Sequence, residues 1–500
     1  MKRIISMFLV LICIVGFVNP VLAEPEDKVN INVLPNEPGS VSTLKDSDIL
    51  VESPEIESQS GILMDIESGE FLFSKDSNKK VYPASTTKVL TALIALENGD
   101  LDEIVTVGTE AYLCAKDSSL AAIDIGEEIS LKNLLYGLML PSGNDAAYTI
   151  AVHIGRKIKD DPELSIEESL RVFIDNMNHR TEELGATGSH FVTPDGYHDD
   201  DHYTTAHDMA LIAQEAMTHD IFREIISTKI FTMDDWSSLH DPNVEEEEKE
   251  IRYWWNSNAL IQPNGNFYYP NSIGGKTGYT SKSLHCLVSS AASEGMELIA
   301  VVLGASKHGK WTDSISLFDY GFDNFELYKP FSPDQQINVL NVDNNPDDDS
   351  VSILINKSPV HVILKNEIKD IKQEIEWVQE VVQKQEDGKN LLSLSAPISR
   401  SQKVGTLTLK LNGKVIDEID LITAKAVRKI EPTKPKTSKK SKTPKKPNDT
   451  TIERSNSWNS LTIWGRLGIG IVGFILLAFV VFIISVRNRK KGYMYYRRRY

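Results

Sequence analysis

Three short clusters, in order along the chain, carry residue types that together suit acyl transfer at an amide. Ser85-Thr86-Thr87-Lys88 follows Pro83-Ala84 at the head of an apolar stretch, Ser142-Gly143-Asn144 separates two helical stretches, and Lys276-Thr277-Gly278 follows Gly274-Gly275 in a strand-like run. Residues three apart share one face of a helix, so the amine of Lys88 can reach the hydroxyl of Ser85. A serine hydroxyl is a weak nucleophile until a neighbouring base takes its proton. An ammonium cannot be that base, so Lys88 must be uncharged for part of the time. Burial disfavours its charge and a nearby cation disfavours it further; Lys276 is the obvious candidate for that cation. A helix start at Ser85 would add positive potential and free N–H groups where an oxyanion develops.

The other members of the clusters fit the same chemistry. Ser142 suits a proton relay towards a leaving amine. Asn144 both donates and accepts, so it can orient Lys88 and a substrate amide. Lys276 offers charge and Thr277 a hydroxyl donor to a terminal carboxylate, and the N–H of Tyr279 is a second oxyanion donor. Gly274, Gly275 and Gly278 permit close backbone approach beside the strand. Each cluster alone is weak, because a serine that starts a helix beside a surface lysine has the same Ser-x-x-Lys pattern. The order of all three carries the reading.

The elements that must hold these groups are legible in outline. Strand-like runs at 61–65 and 70–74 flank a Glu67-Ser68-Gly69 turn, and 85–96 is helical and apolar on most faces, as a buried helix is. Further helices are expected at 131–140, 145–154, 173–184 and 205–217. Strands are expected at 272–280, 284–292 and 296–303, the last two joined tightly at Glu294-Gly295. Strands at both ends with helices between predict an α/β (α+β) domain with an antiparallel sheet over 56–330. Residues 335–427 alternate in strand fashion and contain Asn412-Gly413 between alternating runs, a hairpin signal; a small, mostly β domain follows.

The clusters and their surroundings resemble the low-molecular-mass penicillin-binding proteins, the serine D-Ala-D-Ala carboxypeptidases. The likeness spans about 58–425 and includes Tyr82-Pro83-Ala84-Ser85, Leu140 through Ala147, His202 through Ala206 and Gly274 through Gly278. It implies a serine β-lactamase/transpeptidase-like domain, peptidoglycan stem peptides as substrate and β-lactams as covalent inhibitors. By the same resemblance Ser85 is the nucleophile, Lys88 the proton acceptor, Ser142 an active-site residue and Lys276 a substrate-binding one. The middle cluster is Ser-Gly-Asn rather than the Ser-Asp-Asn of β-lactamases. A β-lactamase or endopeptidase on the same scaffold, and a wall-binding protein without activity, are the rivals. A zinc peptidase is another, because His198, Asp199, Asp200, Asp201, His202, His207 and Asp208 are crowded together. No His-Glu-x-x-His is present, and the reading of the clusters needs no metal or organic cofactor.

The ends of the chain predict where it works. Lys2 and Arg3, an apolar run at 4–18, Pro20 and Val21-Leu22-Ala23 read as a secretory signal over 1–23, with an uncleaved anchor as the alternative. Residues 24–55 read as a polar leader and 428–460 as a Lys/Pro-rich spacer. Residues 467–486 form an uncharged run of about one bilayer thickness, followed by a basic tail at 487–500 that would stay in the cytoplasm. Both ends thus predict a single-pass membrane protein with its catalytic domain outside the cytoplasm. That span departs from the amphipathic anchor usual in the resembled family.

Residues 428–500 carry 18 Lys or Arg against three acids, a net of +15, and residues 1–23 carry +2. The whole-chain charge of −18 therefore leaves −35 on residues 24–427. So acidic a body excludes non-specific nucleic-acid binding. Beyond the signal only Cys114 and Cys286 remain; one disulfide between them is chemically open, and two buried thiols are the simpler expectation. The acidic stretch 241–250 reads as a solvated loop.

Overall fold

The computed structural model describes residues 51–233, 252–343, 350–379, 382–384 and 392–429. The expected signal, most of the leader, the 241–250 stretch, nearly all of the spacer, the 467–486 run and the basic tail lie outside these residues. Among the described residues no helix is long and apolar enough to cross a membrane.

The chain opens with a hairpin of β1 (Ser60–Asp65) and β2 (Phe71–Lys75), then passes into helices α1 (Lys88–Asn98), α2 (Leu131–Met139), α3 (Asn144–Lys159), α4 (Ile166–Glu183), α5 (Ala206–Ala216) and α6 (Asp220–Ser227). A ribbon of β3 (Ile230–Met233) and β4 (Arg252–Trp255) leads to β5 (Ser272–Thr280), β6 (Leu284–Ser293), β7 (Met296–Ala305) and α7 (Gly309–Asn324). The main sheet runs β2-β1-β7-β6-β5 and is antiparallel throughout, so β5 is an edge strand.

Both faces of this sheet are covered, which explains why residues 298–303 of β7 read as a continuous apolar run rather than an alternating one. Ile299, Val301 and Leu303 point into the core shared with α1 and α5, whereas Leu298, Ala300 and Val302 point into a second core against α7, around Phe318 and Leu317. Strand side chains alternate between faces, so only a strand buried on both can be apolar at every position. Val51 already packs on the second core, several residues before the expected domain start at 56.

Helix starts follow local chemistry. Ser130, Ser165 and Thr205 each accept a backbone N–H three residues on, at Asn133, Glu168 and Asp208; Ser165 also donates to the Glu168 carboxylate at 2.7 Å, a reciprocal cap. Helix α1 is buried on every side from Lys88 to Ala95. Its start differs from expectation: Ala84–Thr87 form a 3-10 turn and the α-helix proper begins at Lys88.

The β domain is a seven-stranded sheet. Its strands after β8 (Phe325–Tyr328) are β9 (Gln336–Asp343), β10 (Ser350–Ile355), β11 (His361–Leu364), β12 (Ile371–Trp377), β13 (Val382–Lys384), β14 (Leu392–Ser395), β15 (Lys403–Leu411) and β16 (Lys414–Thr423). The order is β12-β15-β16-β10-β9-β14-β13, while β8 pairs with β11. Asn412 and Gly413 turn between β15 and β16 with φ of 51° and 81°, the left-handed pair that such a two-residue hairpin needs.

Phe318 is fully buried between α7 and the sheet. Phe318→Ala should lower unfolding stability by about 3–5 kcal/mol through the cavity it leaves, read as a lower denaturant midpoint. An unchanged midpoint would contradict this packing.

Candidate active site

The 3-10 turn sets the central pair. In such a turn residues three apart eclipse, and Lys88 Nζ lies 3.0 Å from Ser85 Oγ. The same Nζ donates to Asn144 Oδ1 at 2.6 Å and to the main-chain oxygen of Asp195 at 3.1 Å. An uncharged amine has two N–H groups and one lone pair. With both N–H groups held by Asn144 and Asp195, the lone pair is left for the hydroxyl of Ser85.

Each holder is itself fixed. Asn144 stands at the N-terminus of α3, and its Nδ2 donates to Ser118 Oγ at 2.8 Å. Its amide therefore bridges Lys88 and Ser118, and the second N–H of Nδ2 stays uncommitted among the described residues. The 194–196 turn is pinned to α1 by Thr91 Oγ1, which donates to Pro194 O at 2.5 Å. Gly196 has φ of +78°, and a Cβ there would come within 1.9 Å of Ala84 O. His202, fully buried, meets Thr87 Oγ1 at 2.9 Å through Nε2 and accepts Val192 N–H through Nδ1. Burial lowers the His202 pKa to about 3, so the ring is neutral. It supports the turn that carries Ser85, with both ring nitrogens engaged, in place of the metal ligation weighed from its spacing. Among the described residues no three His, Cys, Asp or Glu side chains are grouped to hold a metal ion.

Lys88 is wholly buried, and burial lowers its pKa to about 8 against the upward pull of the Asp195 and Asp145 carboxylates. It forms no ion pair with any described carboxylate within 4.0 Å. Lys276 lies close enough for like-charge repulsion between the two amines, which acts on both. Burial, and then the ammoniums of Lys88 and Lys310, push Lys276 well below the usual lysine range.

Lys276, Thr277 and Gly278 run along the edge strand β5 beside the Ser85 turn. Lys276 is fully buried and its Nζ donates to Thr277 O at 2.8 Å. Thr277 Oγ1 reaches the exposed edge and meets Ser257 Oγ at 2.9 Å. A Cβ on Gly278 would lie 2.9 Å from Pro83 O and 3.1 Å from Ser85 N, so only glycine lets the strand approach so closely. Tyr279 is exposed, its ring stacked on His285 at 4.4 Å. Ser142 lies two residues before Asn144 in the turn between α2 and α3; its hydroxyl bonds neither Lys88 nor Ser85 here.

Two non-glycine residues at the site have left-handed backbone, Ala84 with φ of 49° and Ser142 with φ of 66°. Such conformations cost of order 1–3 kcal/mol each and cluster at functional sites. Sequence reasoning missed Asp195, Ser118 and Ser257, all remote in sequence from their partners. Only Pro194-Asp195-Gly196 had a turn signal. Cys114 and Cys286 are both free, and Cys114 is only partly buried, contrary to the expectation of two buried thiols.

An edge strand facing a serine whose hydroxyl meets a buried lysine amine, on this layered sheet, defines a serine acyl-transfer site on a transpeptidase-like α/β domain. Residues 48–307 match the D-alanyl-D-alanine carboxypeptidase family, and residues 325–429 match the penicillin-binding protein 5 C-terminal domain. The chain belongs to this D-alanyl-D-alanine carboxypeptidase family. It is 30% identical to the carboxypeptidase DacF of Bacillus subtilis over 75% of this chain and 86% of that one. It is 29% identical to DacC of Escherichia coli over the same shares. Among solved structures, penicillin binding protein 5 of Haemophilus influenzae superposes with a TM-score of 0.57 at 28% identity, covering 76% of this chain and 99% of that one.

Gly278→Ala should push the strand off the Ser85 turn. Misplacement by a fraction of an ångström to 1 Å is expected to lower D-alanine release about 10²-fold, while overpacking costs about 1–3 kcal/mol of stability. Steady-state release by folded protein checks this; wild-type rates would show that the close approach is not required.

Proposed function

We propose that this protein removes the terminal D-alanine from peptidoglycan pentapeptide stems through an acyl-serine intermediate at Ser85. The observation that carries the proposal is the 3.0 Å contact between Lys88 Nζ and Ser85 Oγ, with the remaining directions of the amine held by Asn144 and Asp195. The Ser85 proton passes to the Lys88 lone pair while Oγ attacks the carbonyl carbon of the penultimate residue. The N–H groups of Ser85 and Tyr279 face the developing oxyanion, which such donors stabilise by several kcal/mol, about 10²–10³ in rate per donor. The tetrahedral intermediate collapses, the C–N bond breaks, and the leaving amine takes a proton through Ser142. Water then attacks the ester, with Lys88 again as base, and frees the shortened stem and Ser85.

Thr277 and Lys276 receive the terminal carboxylate. Because Lys276 is buried and held below the ordinary lysine range, an arriving carboxylate favours its protonated form. A β-lactam carries a carboxylate and a strained amide, and acylates Ser85 by the same step. The signal-like start and the uncharged 467–486 run support secretion and a single C-terminal span, with the catalytic domain outside the cytoplasm.

Two outcomes test this reading. Fluorescent penicillin should label the wild-type chain, with mass spectrometry placing the adduct on Ser85, and Ser85→Ala should remain unlabelled; an adduct that persists in Ser85→Ala would end the assignment. The acylation rate should also depend on pH through the Lys88 amine. Only the deprotonated form accepts the Ser85 proton, so the rate should climb about tenfold per pH unit below about 8 and level off above it. A rate that falls as pH rises through that window would exclude Lys88 as the base.

A further inference from the structure

The proposed acylation creates a buried ammonium on Lys88, and a buried charge needs a counter-charge. The groups facing it from the packed elements are Asp145 on α3, Cys114 on the loop before α2, Asp195 on the loop before α5 and Lys276 on β5, whose like charge cannot serve; Tyr148 on α3 lies near Cys114 and Asp195. Burial holds Cys114 and Tyr148 in their neutral forms by raising both pKa values. That leaves two carboxylates.

Their oxygens are differently occupied. Asp145 Oδ1 accepts from Ala121 N and Ala146 N at 2.8 and 2.9 Å, and Oδ2 accepts from Ile123 N at 3.2 Å. Asp145 is thus committed to holding the loop before α2. Asp195 is 1% exposed; Oδ1 accepts from Tyr197 N at 3.0 Å, while Oδ2 is buried and has no hydrogen-bond partner. An unpartnered buried carboxylate oxygen is costly and calls for a reason. Its main chain already holds Lys88 Nζ at 3.1 Å, so the side chain and the amine are neighbours.

We propose that Asp195 is a positioning residue for Lys88: its main-chain oxygen aims the amine at Ser85, and its buried carboxylate is the counter-charge for the ammonium formed when Ser85 gives up its proton. The proton leaves Ser85 Oγ and stays on Lys88 Nζ until the next transfer; Asp195 exchanges none. The inference rests on the acyl-serine reading above.

The test compares Asp195→Asn and Asp195→Glu with wild type in the full-length chain, following acylation by fluorescent penicillin from neutral to alkaline pH. Asn keeps the shape and the main chain but removes the charge. Its rate profile should move by about one pH unit to lower pH, with a plateau about tenfold slower because the amine is a weaker base. Asp195→Glu restores the charge on a longer arm and should return the midpoint towards that of wild type. A slower Asp195→Asn with an unmoved midpoint would reduce Asp195 to a structural part and overturn the inference. Equal displacement in both variants would overturn it as well, because charge would then not be the cause. Should Asp195→Asn fail to fold, Asp195→Ser, which also removes the charge, takes its place: a midpoint moved to lower pH supports the counter-charge and an unmoved one overturns it. Failure of wild type to form an adduct at Ser85 would instead refute the acyl-serine reading itself.

Discussion

An amine enclosed by protein, with no described carboxylate within ion-pair distance, is the constraint around which the catalytic domain is arranged. Lys88 sits in the first turn of a helix with no solvent-facing side. Leaving water disfavours its charge, and the three oxygens around it fix where its proton-accepting direction points. Everything nearby serves one of these two ends. The sheet and α-helices exclude water, while Asn144 and the Asp195 carbonyl take up the N–H groups. Further hydrogen bonds fix the surroundings in turn: Ser118 holds Asn144, Thr91 holds Pro194, and His202 meets Thr87.

The sequence made the local half of this arrangement legible. Ser85 and Lys88 are neighbours through three residues of chain, and no tertiary knowledge is needed to see that they meet. The central strands were also readable, because burial on both faces leaves an uninterrupted apolar run at 298–303. The Asn412-Gly413 hairpin was readable for a different reason, since only a few residues accept its backbone angles. What could not be read was any contact set by the meeting of distant segments. Asp195 is 107 residues from Lys88 and Ser257 is 20 from Thr277; no periodicity links either pair.

The lysine pair was legible only in part. Two lysines in one site were read as a pair in which one lowers the other, but sequence gives neither the depth of each nor the carboxylates around it. In the folded chain Lys88 has Asp195 and Asp145 nearby, which partly offset its burial, whereas no such anion stands among the influences on Lys276. Repulsion between the two amines is mutual, and the carboxylates offset it at Lys88. The 3-10 turn at 84–87 escaped notice likewise: Pro83 and the left-handed Ala84 delay the α-helix by a turn, and that delay is what eclipses Ser85 with Lys88.

The left-handed backbone at Ala84 and Ser142 bears on how this chain can vary over time. Each position keeps a conformation that its side chain disfavours, and each does so beside the serine hydroxyl or the asparagine that steers its base. Changes that let either residue relax would make the fold more robust while loosening the nucleophile. Heat tolerance in a descendant of this protein would therefore have to be gained elsewhere, in the α7 layer or the β domain, leaving these two tense points as they are.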